Sequence, residues 1–298
     1  MSIKIYLLVL IVIIIIIIMI WGGITQWKFE NNYDYFSKPI IKFISYADDR
    51  FGRKGGKFIK TQEKMTKLFQ NHPQINDITS YTDKDLINTN FYIKNKILLD
   101  KGPSLTDGAG NMQKLYFIEQ ELNYIPENSY LLYHDASPEC WENIKANHGT
   151  KFQKLSNNAY NNISFIPYLE MCDKNKGILV GKARHTENIT HRFYTSPTCI
   201  RLMGLEQFID KFQICTSWIL LKNTKHVRKI ISEALDYITN ENCASYYKNK
   251  KIDKKIEPLF HENRGDQSVL GLLLLKYDMP FVLPTKNKNI LSIDFTSI

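Results

Sequence analysis

"SYLLYHDA" (residues 129–136) is a run of apolar and β-forming residues that stops abruptly on a His-Asp pair. A strand covered on both faces reads as a continuous apolar run, whereas a strand with one wet face alternates. The run therefore predicts an interior strand of a layered sheet, with Asp135 at its carboxyl end. In open α/β sheets ligands bind beyond the carboxyl ends of the strands. A carboxylate there can hold a divalent cation, which in turn holds a diphosphate. The competing reading makes Asp135 a turn residue, since Asp is favoured where a strand gives way to a turn such as Ser137-Pro138-Glu139.

Outward from this strand, "IIKFISY" (40–46) and "INDITSY" (75–81) have the β-branched content of strands. "ISFIPYL" (163–169), "GILVG" (177–181), "ICTSWILLKN" (214–223) and a short "PFVLP" (280–284) are further strand candidates. Helical spacing appears in "GKFIKTQEKMTKLFQ" (56–70), with Phe58, Met65, Leu68 and Phe69 on one side, and in "NMQKLYFIEQELNYI" (111–125), with Leu115, Ile118, Leu122 and Ile125. "TKHVRKIISEALDYIT" (224–239) aligns Val227, Ile230, Ile231, Ala234, Leu235 and Ile238, and "DQSVLGLLLLKY" (266–277) is a last helix. Strands alternate with helices, so the fold class is α/β and layered. Without repeats or long linkers, residues 40–298 read as one domain.

The amino terminus is different. Every residue from 5 to 21 is apolar or Tyr, including six consecutive isoleucines at 13–18. That reaches the length of a membrane-spanning helix, roughly 17–25 residues, and exceeds the ~7–15 residues of a signal-peptide core. Residues 1–25 are therefore expected to be a tip and a transmembrane anchor, and 26–39 a polar and aromatic stem. Lys4 precedes the span while Lys28, Lys38 and Lys42 follow it, so the charge bias does not set the orientation. The chain is basic, formally +9. Its densest patch, "KNKKIDKK" (248–255), reads as a solvated loop or a phosphate- or lipid-attracting one. Aromatics are not interleaved with it, which sets nucleic acid aside. Cys140, Cys172, Cys199, Cys215 and Cys243 have no zinc spacing and read as buried thiols; a lumenal body would allow one or two disulfides.

Three other segments are rich in chemistry. "TDGAGNMQK" (106–114) places Gly108 and Gly110 before a helix start, where backbone and dipole favour anions. "KARHTENITHRFYTSP" (182–197) looks like a polar loop. "HENRGDQS" (261–268) is the densest: it lacks the second His of a zinc-protease motif, and Asp266 is a good N-cap for the apolar helix behind it. Capping leaves His261, Glu262, Arg264 and Gln267 unexplained.

Taken together, Gly108-Ala109-Gly110 with Lys114, then Tyr133-His134-Asp135-Ala136, then His261 to Ser268 occur in an order that resembles nucleotide-sugar glycosyltransferases of the GT-A type. The branch in question has a Tyr-x-Asp-Ala-Gly strand end and a late His-Arg-x-Asp-Gln-Ser helix start. The resemblance implies a GT-A-like (Rossmann-like) mixed sheet flanked by helices, and transfer of a sugar from a nucleotide diphosphate sugar to a glycan, lipid or protein acceptor. It implies Mn²⁺ or Mg²⁺ on Asp135, with His261 as a further ligand. Gly108, Gly110, Lys114, His134, Arg264 and Gln267 would contact substrate, and Asp266 would deprotonate the acceptor or else orient the sugar. Such relatives read Gly-x-Gly-Tyr-Trp-x-Trp-Lys-Pro where this chain has Gly108-Ala109-Gly110-Asn111-Met112-Gln113-Lys114-Leu115. Ala136 is followed by Ser137 in place of Gly, and no second Asp completes an Asp-x-Asp pair. The alternative is a catalytically inactive, membrane-anchored carbohydrate-binding protein on the same fold. By the same resemblance the chain would be a single-pass type II protein of the Golgi or endoplasmic reticulum.

The apolar run yields a direct expectation. In a secretory host the full chain should stay with the membranes through a carbonate wash and carry glycosidase-sensitive mass on Asn162 or Asn188, both in glycosylation sequons. Release by the wash, or a mature chain starting near Gly23, would sink the anchor.

Overall fold

The computed structural model describes residues 39–48, 57–101, 111–137, 164–182, 189–244 and 250–279. The expected anchor and stem, "PFVLP", Gly108, Gly110, Asn162 and Asn188 lie outside the described residues. Among those described, no helix is long and apolar enough to cross a membrane.

Among the described residues five strands form a single sheet: β1 (Ile41–Ala47), β2 (Asp77–Thr82), β3 (Tyr130–Asp135), β4 (Ile178–Lys182) and β5 (Ile214–Lys222), in the order β2-β1-β3-β5-β4. β1 is parallel to β2 and β3, and β5 is antiparallel to β3 and β4, which makes the sheet mixed. Parallel neighbours need crossovers, commonly helical. Here α1 (Lys57–Gln70) joins β1 to β2, and α2 (Asp83–Ile87), α3 (Asn90–Leu99) and α4 (Met112–Tyr124) lie between β2 and β3. After β3 come α5 (Ile166–Lys174), α6 (His191–Tyr194), α7 (Pro197–Met203), α8 (Lys225–Ile238), α9 (Glu241–Ala244), α10 (Lys250–Ile256) and α11 (Asp266–Lys276).

Alternation along the strands sorts the core into two layers. Ile44, Tyr46, Leu131, Tyr133, Ile219 and Leu221 pack with α4, α8 and α11, while Phe43, Leu132, Trp218 and Leu220 pack with α1 and α5. α8 buries the six residues its spacing predicts, and the Thr224 hydroxyl caps it by accepting from Val227 N at 3.2 Å. α11 is apolar on all sides, as a helix must be when neighbours surround it. Val269, Leu270, Leu272, Leu273 and Leu274 are all buried. At about 1.5–3 kcal/mol for each large apolar side chain, α11 is anchored far more firmly than a surface helix.

Three expectations are corrected. "ISFIPYL" opens helix α5 in place of a strand: Pro167 stands in its first turn, where a fixed φ suits a helix start, and a proline fits poorly inside a sheet. "KNKKIDKK" runs into a helix, α10, in place of a loop. Asp253 anchors it, accepting from the Ser196 hydroxyl at 3.0 Å and the Thr198 hydroxyl at 2.7 Å. Nor are all the cysteines thiols, because Cys199 of α7 is bonded to Cys243 of α9; Cys172 is a buried free thiol and Cys215 a half-buried one.

The disulfide closes a separation of 44 residues. Replacing both cysteines (Cys199→Ala with Cys243→Ala) should lower unfolding free energy by roughly 2–4 kcal/mol. Urea denaturation with and without reductant checks this: reductant should weaken the parent and leave the double variant unmoved.

Candidate functional site

α4 begins at Asn111, held in the left-handed region with φ 59° and ψ 32°. This costs a non-glycine residue strain, tolerated best by Asn. Lys114, in the first turn, lies under the sheet edge and is fully buried. A lysine loses a great deal of hydration there, so it must find partners. Its Nζ lies 3.0 Å from Asp135 Oδ1 and 2.9 Å from Asp266 Oδ2, and it donates to the Thr216 carbonyl at 3.0 Å. The Tyr133 ring stands 5.2 Å from it.

Each partner comes from a different element. Asp135 ends β3, beside Tyr46 of β1 in the parallel register. Tyr133 donates its hydroxyl to Asp135 Oδ1 at 3.1 Å. Asp266 opens α11 and accepts the Thr216 hydroxyl on Oδ2 at 2.6 Å, while Asn111 Nδ2 stands 3.4 Å from Oδ1. Asp266 was expected to be the N-cap, but Gly265 holds that position. Gly265 has φ 49° and ψ −114°, a backbone shape open to glycine and strained for other residues. This frees the Asp266 side chain to turn inward onto Lys114.

The two carboxylates differ in exposure. The Asp266 side chain is 2% exposed and that of Asp135 27%, and the Lys114 ion pair and the Tyr133 hydrogen bond of Asp135 both fall on its Oδ1. One ammonium faces two carboxylates, which explains both directions of proton affinity. Burial alone would lower the Lys114 pKa, but the charges of Asp135 and Asp266 override it and hold the amine well above the ordinary lysine range. Burial pushes Asp266 above the usual carboxylate value against the pull of Lys114 and Thr216, and the charge of Asp135 adds to the rise.

The remaining expected site residues have the following partners within the protein. His134 points to the opposite face of β3 from Asp135, is buried, and is pushed down to about 4 by that burial. Its ring Nδ1 stands 2.7 Å from the Asp135 carbonyl oxygen. The His261 ring stacks on Phe193 at 5.5 Å, and the backbone N–H of His261 donates to the Phe193 carbonyl. The Arg264 guanidinium lies 4.1 Å from the centre of the Tyr194 ring and pairs with Glu262 at 3.1 Å. Asn263 donates to the Cys243 carbonyl and accepts from Ser196 N. Gln267 donates to Gln213 Oε1 at 2.9 Å, and the Ser268 hydroxyl donates to the Tyr194 carbonyl at 2.8 Å. Residues 182–197, expected as a polar loop, thus include the short α6, whose backbone is the surface onto which the late motif is sewn.

Thr216, Asn111 and Gln213 were given no role by the sequence, and Tyr133 entered only as the first residue of the strand-end motif. The one available signal was the polar Cys215-Thr216-Ser217 inside an otherwise apolar strand. Among the described residues no three His, Cys, Asp or Glu converge to hold a metal. Asp135 still fits a shared ion: it offers a partly exposed carboxylate, with its Lys114 and Tyr133 partners on Oδ1, in a cluster with a formal charge of −1, two carboxylates less one ammonium. Mg²⁺ commonly binds through one or two carboxylates together with substrate phosphates and water.

No family model matches the chain, and no curated protein matches it. Among solved structures, the apo form of mouse xyloside xylosyltransferase 1 is similar over 82% of this chain and 84% of its own, with 8% identity and a TM-score of 0.39.

The buried triad makes Lys114 essential to the fold. Lys114→Met leaves two carboxylates with no cation and should cost about 3–5 kcal/mol at neutral pH. In that variant Asp266 should rise further above its ordinary value of 3.8. A carboxyl raised by folding contributes stability below its unfolded pKa and loses it as pH rises through the folded one. The deficit of Lys114→Met against the parent should therefore shrink as pH falls toward that ordinary value. Urea midpoints at pH 7 and pH 4.5 test it, and an equal deficit at both would refute the assignment.

Proposed function

We propose that the protein is a glycosyltransferase moving a sugar from a nucleotide diphosphate sugar to a glycan, lipid or protein acceptor, anchored in the membrane by the apolar run at residues 5–24. One observation carries the reading. Lys114, Asp135 and Asp266 come from the three segments on which the resemblance rests, and they meet at a single ammonium within 3.0 Å. In open α/β sheets ligands bind outside the carboxyl ends of the strands, and Asp135 ends β3 at that edge.

The chemistry follows from the division between the carboxylates. Departure of a nucleoside diphosphate builds negative charge that fixed cations or donors must offset. Asp135 Oδ2 would hold Mn²⁺ or Mg²⁺, and such an ion when bound offsets the charge of the leaving diphosphate. Lys114 holds Asp135 in place through its other oxygen. Asp266 is spent on Lys114 and Thr216 through Oδ2 and is shielded from solvent, so it serves as the buried counter-ion and not as the group that meets the acceptor. A general base must reach the proton it takes, and the Asp266 side chain is only 2% exposed.

The inactive carbohydrate-binding alternative draws on one observation as well. Lys114, expected to touch phosphate, is wholly committed to protein partners. A screen of nucleotide sugars for hydrolysis by the full chain separates the two readings, because the inactive protein hydrolyses none.

Asp135→Asn should abolish Mn²⁺-dependent binding of UDP- or GDP-sugars by the full chain, with circular dichroism unchanged. Parental affinity in excess Mn²⁺ would show that Asp135 is not the contact.

A further inference from the structure

Thr216 reaches the buried cluster because β5 breaks its own alternation. Along β5 the register against β4 jumps: Val180 faces Ile219, but the next residue, Gly181, faces Cys215. Three residues of β5, 216–218, have no partner on β4 across that single step. A β-bulge re-aims the side chains on one side of it. Ile214 and Ile219 consequently belong to the same core layer although five positions apart, which strict alternation forbids. The same shift turns Thr216 toward α4 and α11, while Trp218 stays in the opposite layer. Gly181 lines the bulge, and a Cβ there would stand 3.4 Å from Cys215 Cβ and 3.5 Å from the Trp218 indole nitrogen.

Both polar groups of Thr216 are used at the cluster. Its carbonyl accepts from Lys114 Nζ at 3.0 Å, and its hydroxyl accepts from the same nitrogen at 3.3 Å while donating to Asp266 Oδ2 at 2.6 Å. A hydrogen bond to a carboxylate favours its charged form. We propose that Thr216 is a positioning residue whose hydroxyl holds Asp266 on Lys114, so that Lys114 remains shared between the two carboxylates and Asp135 keeps a net negative charge toward the ligand. The inference rests on the glycosyltransferase reading for the role of Asp135, but not for the behaviour of Asp266.

The consequence of losing the hydroxyl is a redistribution of charge. A neutral Asp266 no longer holds its share of the ammonium, Lys114 turns wholly to Asp135, and the carboxylate that would bind a cation is cancelled. Among the described residues the charged and titratable groups facing Asp266 are Lys114 from α4 and Asp135 and Tyr133 from β3, and Asn111 and Thr216 contact it as well. Val keeps the shape of Thr without the hydroxyl, and Ser keeps the hydroxyl without the methyl. The two substitutions thus separate chemistry from packing.

The test uses the full chain in detergent micelles with Mn²⁺ alone as probe, its free concentration read by electron paramagnetic resonance at pH 7. Thr216→Val should weaken Mn²⁺ binding by at least about tenfold, the effect of one nearby charge. Thr216→Ser should bind as the parent does. Asp266→Asn should match Thr216→Val, and the two together should be no worse than either. Equal affinity in Thr216→Val and parent, or a Ser variant as poor as Val, overturns the proposal. If Asp135→Asn binds Mn²⁺ as well as the parent, the metal reading of Asp135 fails and a second measurement judges Thr216. That measurement is melting against pH. The raised Asp266 pKa goes higher without the hydroxyl, so the deficit of Thr216→Val should grow from pH 4 to pH 7 and should be flat in an Asp266→Asn background. A deficit with no pH dependence in the parent background overturns the proposal as well.

Discussion

The ammonium of Lys114 is the constraint around which the rest of this domain is arranged. Taking a lysine and two carboxylates out of water costs several kcal/mol for each ion, and their attraction repays it only when the geometry is good and the remaining hydrogen-bonding capacity is met. Here the three N–H groups of Lys114 have Asp135, Asp266 and the Thr216 carbonyl as partners. Four elements must be correctly placed to supply them: the start of α4, the end of β3, the bulged part of β5 and the start of α11. A buried ion cluster is weak evidence for stability, since apolar residues of equal volume often do as well. Its retention here goes with strained or irregular backbone at three of the four positions, Asn111, Gly265 and the bulge. Strain of this kind persists only where the surroundings over-determine it, and it gathers at functional sites.

A second buried lysine shows the same rule used for architecture alone. Lys42 of β1 pairs with Glu121 of α4 and Asp77 of β2, each at 2.9 Å, and Tyr81 donates its hydroxyl to Glu121. The network fastens α4 across the parallel half of the sheet. α4 therefore carries one buried ion pair in its last turns and another in its first. The helix that presents Lys114 is fixed at both ends, so the ammonium cannot drift from its carboxylates by a tilt of the helix.

How much of this could be read from the sequence depended on whether the signal was local. β3 and its terminal Asp135 were legible because a doubly covered strand is apolar throughout. α8 was legible because six apolar residues recur at helical spacing. "ISFIPYL" misled because β-branched and aromatic residues suit a strand, while the deciding residue, Pro167, favours a helix start. Asp266 misled for a subtler reason: Asp before an apolar run is the usual N-cap, and only the buried lysine 152 positions earlier (266 − 114) reveals why it turns inward. Thr216 was invisible because a bulge reverses the facing of residues without altering their composition. The polar density of "HENRGDQS" was seen, but its meaning was divided: Asn263, Gln267 and Ser268 hydrogen-bond the scaffold, and Asp266 alone of the motif reaches Lys114.

That division bears on how such a motif can work. A helix apolar on every side, such as α11, has no polar face of its own, so a charge placed at its first turn takes its position from the whole core. The scaffold contacts of Asn263, Gln267 and Ser268 hold the approach to that turn, and the Cys199–Cys243 bond holds the segments to which Asn263 is tied. Asp266 is thereby held as rigidly as a core side chain. It passes that rigidity through Lys114 to Asp135, the one member of the triad whose side chain is partly exposed to solvent. Pre-organisation lowers the cost of ordering groups when a ligand arrives. The buried carboxylate contributes by ensuring that the exposed one is already in place.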